Sequence, residues 1–157
     1  MRTTLLVITM LVFIIGCVSR KPERPQPISI TEIHKGLYGS WGQDGYTLID
    51  DMEDWQVSWN KLHGTYSPVP ALPEIDLAEN SVLIYRLGTR SSGGYGVAIS
   101  SIVDQGDSLL VSVLEKQPGE GCMTTMAISS PFVIVSFPKK EKRSIRISLK
   151  AKQEPCR

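Results

Sequence analysis

The chain is expected to fold as an α+β domain, mainly antiparallel β, with about 5–6 strands in a small sandwich or partly closed barrel and one amphipathic helix near residues 51–62. Three observations predict this. One stretch has helical spacing of apolar residues, several later runs have strand length and strand periodicity, and the turns between them are too short to hold crossover helices.

The helix comes first. Asp50 and Asp51 are good N-caps and suit the positive end of a helix, and they precede Met52, Trp55, Trp59 and Leu62, spaced three, four and three. Glu53, Gln56 and Asn60 fall on the other side, so the helix should be half exposed, with the two Trp as core. A short strand near Tyr46 to Ile49 precedes it. Pro68, Pro70 and Pro73 forbid regular structure until about Ile75.

Strands follow. Ser81-Val82-Leu83-Ile84-Tyr85-Arg86-Leu87 reads as buried on both faces. Tyr95, Val97, Ile99 and Val103 share one face of the next strand, and Gln105-Gly106-Asp107 turns it into a hairpin with the run from Leu109 to Leu114. Met123 to Ile128 and Phe132 to Phe137 are further β candidates, broken by Ser129-Ser130-Pro131. The cleanest alternation is last: Ile145, Ile147, Leu149 and Ala151 against Ser144, Arg146, Ser148, Lys150 and Lys152. Lys139 to Arg143 would be a solvated hairpin turn before it, with attraction to anionic headgroups as the sharper alternative.

The N-terminus is read as an address. Arg2 gives a short positive region, Leu5 to Ile15 is apolar, and Gly16 is a small residue before Cys17. Such a run is about half the helical length needed to span a bilayer. Ile14-Ile15-Gly16-Cys17 resembles the lipobox of bacterial lipoproteins, which implies cleavage after residue 16 and a diacylglyceryl group on Cys17. Two or more acyl chains anchor far more durably than one. Residues 17–29, rich in Pro and charge, would be an extended tether, and residues 30–157 a single globular domain. The domain would lie on the non-cytoplasmic side of a cell-envelope membrane. Val18 in place of the Asp that retains enteric lipoproteins in the inner membrane favours the outer membrane in a Gram-negative cell.

With 17 Lys and Arg against 16 Asp and Glu, and Arg2 leaving with the leader, the signs balance. Nucleic acid is therefore not an expected partner. If lipid occupies Cys17, Cys122 and Cys156 remain, and an even pair outside the cytosol suggests one disulfide closing a loop of roughly 35 residues.

The stretch Gly88-Thr89-Arg90-Ser91-Ser92-Gly93-Gly94-Tyr95-Gly96-Val97-Ala98-Ile99, with Pro118 and then Ser130-Pro131-Phe132-Val133-Ile134-Val135, resembles the C-terminal domain of the PrcB family of protease complex subunits. With the Trp-bearing helix and the Asp of Ile75-Asp76-Leu77, the resemblance covers about residues 46–140. It implies a membrane-anchored, non-enzymatic module that binds or stabilises another protein, a secreted or envelope protease above all. The loop Arg90, Ser91 to Tyr95 and its neighbour Ser130 are the first candidates for a contact surface. Arg90→Glu and Ser91→Glu would test it.

No catalytic set is visible. His34 precedes Lys35-Gly36 in an expected loop, and His63 follows the helix, where an imidazolium would meet the negative end of the dipole. The glycines of 88–96 lack a phosphate-loop ending and open a strand. No metal, cofactor or enzymatic activity is expected. The alternative function is an envelope lipoprotein that binds a small ligand in a cavity of the β domain.

Overall fold

In the computed structural model, which describes residues 24–140 and 144–156, the chain runs β1 (Gln26–Ile28), β2 (Thr31–Gly36), β3 (Gly45–Ile49), α1 (Met52–Leu62), β4 (Asn80–Arg86), β5 (Gly96–Asp104), β6 (Ser108–Pro118), β7 (Phe132–Pro138) and β8 (Ser144–Glu154). The first sheet has the order β1-β5-β6-β8 and the second β2-β7-β4-β3. The two stack as a sandwich with α1 on the outer face of the second sheet. The expected leader, Cys17 and most of the tether lie outside the described residues.

Alternation along the two central strands of the second sheet builds both cores. Leu83 and Tyr85 of β4, with Val133, Val135 and Phe137 of β7, meet Ile99, Ile102, Val111 and Val113 of the first sheet. Their neighbours Val82, Ile84, Phe132 and Ile134 point the other way, to Trp55, Trp59 and Leu62 of α1. Strands buried on both faces must be apolar throughout, which is why these runs carry no alternation of polarity. Among the described residues, both cores, with the partly buried residues packed on them, lie within residues 28–147.

The helix forms as its sequence dictates. Asp51 accepts a hydrogen bond from the Asp54 amide at 2.8 Å, and Ser40 caps the other end, its amide and hydroxyl both donating to the Leu62 carbonyl at 2.9 Å. Trp55 and Trp59 donate their indole N–H groups to the carbonyls of Pro73 and Pro70, so the Pro-rich segment is a strap over the helix. Met52, expected on the buried stripe, is 51% exposed. Ser58 is buried with Trp55, Trp59 and Leu62 instead.

Four further expectations are corrected. Met123 to Ile128 is not a strand: it belongs to a loop outside both sheets that begins at Gly119 and is tied back by a disulfide. β6 and β8 pair in parallel, from Ser108 with Ser144 to Pro118 with Glu154. The intervening β7 sits in the other sheet, so it serves as the crossover that a helix usually provides. For the same reason β7 and β8, which lie in different sheets, do not form the hairpin expected about residues 139–143, and Lys139 donates to the carbonyls of Asp50 and Leu77. Finally, the tether ends before residue 29, because β1 pairs Gln26, Pro27 and Ile28 with Asp104, Val103 and Ile102. Pro27 is tolerated there because β1 is an edge strand.

Candidate functional site

Three loops converge at one end of the sandwich: residues 37–44, 87–95 and 119–131. Turn chemistry aims them. Gly88 leaves β4 with φ of +76°, and Gly94 enters β5 with φ of +84°, conformations that L side chains rarely adopt. An added Cβ at Gly94 would lie 3.1 Å from both Pro118 and Thr124, so the glycine also admits close contact between loops.

The middle piece, Ser129-Ser130-Pro131, then laces the other two loops together through backbone hydrogen bonds. Leu87 N donates to Pro131 O at 2.9 Å, Arg90 and Ser129 exchange a pair at 2.8 and 3.0 Å, and Gly93 N donates to Thr125 O at 2.9 Å. On the other side Ser130 N donates to Leu37 O at 2.7 Å and Gly39 N to Ser130 O at 3.0 Å. Ser129 Oγ adds a bond to Ser92 O at 2.8 Å. These are loops with the backbone satisfaction of a sheet, which is what a rigid recognition surface needs.

The four contact candidates fall into this end with different surroundings. Arg90 reaches inward: its Nη2 meets Glu115 Oε1 at 3.2 Å, and its guanidinium lies 5.7 Å from the Tyr95 ring. Tyr95 is half-buried against the inter-sheet core, and Ser130 is half-buried with its amide and carbonyl both bonded. Ser91 is exposed. Arg90→Glu would set one carboxylate against another, so Ser91→Glu is the cleaner probe of contact. Glu115 is buried, and removing the guanidinium in Arg90→Met is expected to cost about 2–3 kcal/mol by stranding that carboxylate. Arg90→Met with Glu115→Met should recover most of the loss in urea unfolding; equal loss in single and double variants would refute the pairing as the cause.

The same end carries what the sequence did not disclose. Met123 and Met126 are 101% and 99% exposed, Ile128 68%, Tyr38 51% and Leu37 47%. Large apolar side chains clustered in the open commonly mark a surface that another molecule covers, and Met adapts to irregular partners. Beside them, Tyr95, Pro118, Cys122, Met123, Thr124 and Cys156 border a groove of about 660 Å³. The Cys122–Cys156 disulfide forms, as expected from parity, with the Cα atoms 5.2 Å apart, and it fixes the groove wall to the end of β8. The signal for this surface was available in sequence only as apolar residues framed by Gly119, Gly121 and Ser129-Ser130-Pro131 without alternation.

The two imidazoles lie elsewhere, and together. His34 is on β2, not in a loop, with its ring 5.3 Å from that of His63 and 5.7 Å from Phe132. His63 is fully buried and stacks at 4.1 Å on Trp59. Its Nδ1 lies 3.0 Å from the Trp59 carbonyl, which can only accept, so Nδ1 carries the proton, and Nε2 has no partner among the described residues. Burial pushes the group below its ordinary 6.5; the bond to Trp59 opposes this, and positive charge on His34 adds to it. His63 therefore sits neutral at the helix end instead of charged. Among the described residues there is no group of three His, Cys, Asp or Glu placed to hold a metal.

A pH dependence follows. The unfolded chain takes up a proton at His63 near 6.5 while the folded chain resists it, so His63 contributes no penalty above that value and costs stability as pH falls below it. Urea unfolding at pH about 7.5 and about 5.5 should show a loss in the parent that His63→Phe reduces. An identical loss in both would rule His63 out.

Residues 81–138 match a family model described as PrcB C-terminal, a span that holds β4 through β7 and two of the three converging loops. No curated protein and no solved structure matches the chain.

Proposed function

We propose, from the match of residues 81–138 to the PrcB C-terminal family model, that the chain is a lipid-anchored envelope protein whose loop end binds and stabilises another protein without catalysing a reaction. The partner we assign is a component of a protease complex, secreted or held in the envelope. The observation that carries the reading is the exposed apolar cluster of Met123, Met126, Ile128, Leu37 and Tyr38, set on loops that the backbone lacing and the disulfide hold in place. An immobile surface loses little conformational entropy when covered, which favours binding.

Placement outside the cytosol is supported by the leader, by Cys17 in its lipobox-like setting and by the disulfide, since such bonds persist in oxidising compartments. The acyl chains on Cys17 would hold the domain at the membrane, in Gram-negative cells the outer one.

The small-ligand alternative has less support. Leu83, Val111 and Val133 fill the space between the sheets with 0% exposure, so this reading turns to the open groove beside Cys122.

Crosslinking in intact cells tests the proposal, with the chain expressed from its own leader and Cys17→Ser as the untethered control. One secreted or envelope protein should be recovered with the parent and lost with Met123→Glu combined with Met126→Glu. Undiminished recovery with that pair would move the contact away from the loop end. Recovery of nothing above the control would leave the ligand-binding reading in its place.

A further inference from the structure

The balanced net charge conceals a strong separation of charge across the layers. Residues 44–80, which contain α1 and its strap, hold Asp44, Asp50, Asp51, Glu53, Asp54, Glu74, Asp76 and Glu79 against Lys61 alone. Residues 144–152 of β8, at the edge of the first sheet, hold Arg146, Lys150 and Lys152 and no Asp or Glu.

Strand alternation fixes where part of that positive charge points. Ile145 and Ile147 pack on the inter-sheet core, so Arg146, Lys150 and Lys152 face outward, and all three are exposed. The register sets Arg146 beside Leu110, Lys150 beside Leu114, and Lys152 beside Lys116. Next across are Val103, paired with Leu110, and Ala98, paired with Leu114. These four apolar side chains are half-buried, and α1, the one helix among the described residues, lies on the other sheet. Two carboxylates border the face: Glu154, 3.0 Å from Lys116, and Asp107 in the turn at its end.

We propose that this outer face of the first sheet docks on an anionic phospholipid surface, with Arg146, Lys150 and Lys152 at the headgroups and the acidic helix layer turned away. A sheet face with half-buried apolar residues along a cationic row complements a negatively charged bilayer surface, and the acidic far side opposes binding the other way round. The inference does not depend on lipid at Cys17 or on the loop-end partner.

The test uses residues 18–157, which contain all described residues of both cores, with vesicles of phosphatidylcholine alone or mixed with phosphatidylglycerol. Sedimentation should show binding to the mixed vesicles only, weakening as ionic strength rises through about 0.15 M, where the screening length is about 8 Å. Lys150→Gln with Lys152→Gln should weaken it about thirty-fold, each basic residue near such a surface being worth about fivefold. Gln56→Glu with Asn60→Glu makes the same change in net charge on the helix layer and should leave binding within about twofold. Equal weakening by both pairs, with thermal unfolding unchanged, would reduce the effect to net charge and overturn the oriented face. Equal binding to both vesicles, or binding to neither, would overturn it as well, and the latter would point to an acidic protein as the occupant.

Discussion

Trp59→Ala is expected to lower the free energy of unfolding by about 3–5 kcal/mol in urea titrations of residues 18–157. Trp59 is 2% exposed, packs its ring 5.3 Å from Trp55 and 4.1 Å from His63, and holds the Pro70 carbonyl through its indole at 2.9 Å. Truncation opens a cavity between α1 and the second sheet and deprives the strap of one of its two indole bonds. Trp59→Phe keeps most of the apolar volume and should cost clearly less. A loss below about 1 kcal/mol for the Ala variant would mean that the helix layer adds little to the fold.

Cys122→Ser with Cys156→Ser should cost about 3–4 kcal/mol, the loop-closure entropy returned to the unfolded chain by opening a crosslink 34 residues apart in sequence. The parent should lose the same amount on reduction, whereas the double variant should be indifferent to reductant. On the proposed function the effect extends to binding, because Cys122 precedes Met123 and the bond ties both to the end of β8. Protein capture by the loop end should weaken with the bond broken. A double variant as stable as the parent would show that hydrogen bonds alone hold the loop.

These effects sit in parts of the fold that differ in how plainly the sequence disclosed them. The central strands β4 and β7 were legible because burial on both faces demands uninterrupted apolar residues, and α1 because its two Trp repeat at helical spacing. Parity alone pointed to the disulfide. β1 and β2 were not legible: Gln26-Pro27-Ile28 has one apolar side chain to bury besides a Pro, and in Thr31–Gly36 the buried face is made by Ile33 and by His34, a residue whose polarity hides its packing against aromatic rings. The alternation of β8 predicted a strand but not its direction, since direction depends on β7 crossing to the other sheet. Met123 to Ile128 reads as strand because apolar residues are assumed to be buried, whereas Met123 and Met126 stand fully exposed.

The proposed function requires that another protein cover the loop end. Its most direct test is a photocrosslinking amino acid placed singly at Met126, and at Val57 on the exposed side of α1, in the full chain in intact cells. The account predicts one strong adduct of defined mass from position 126 and none from position 57. An adduct from position 57 alone, or none from either, would contradict it.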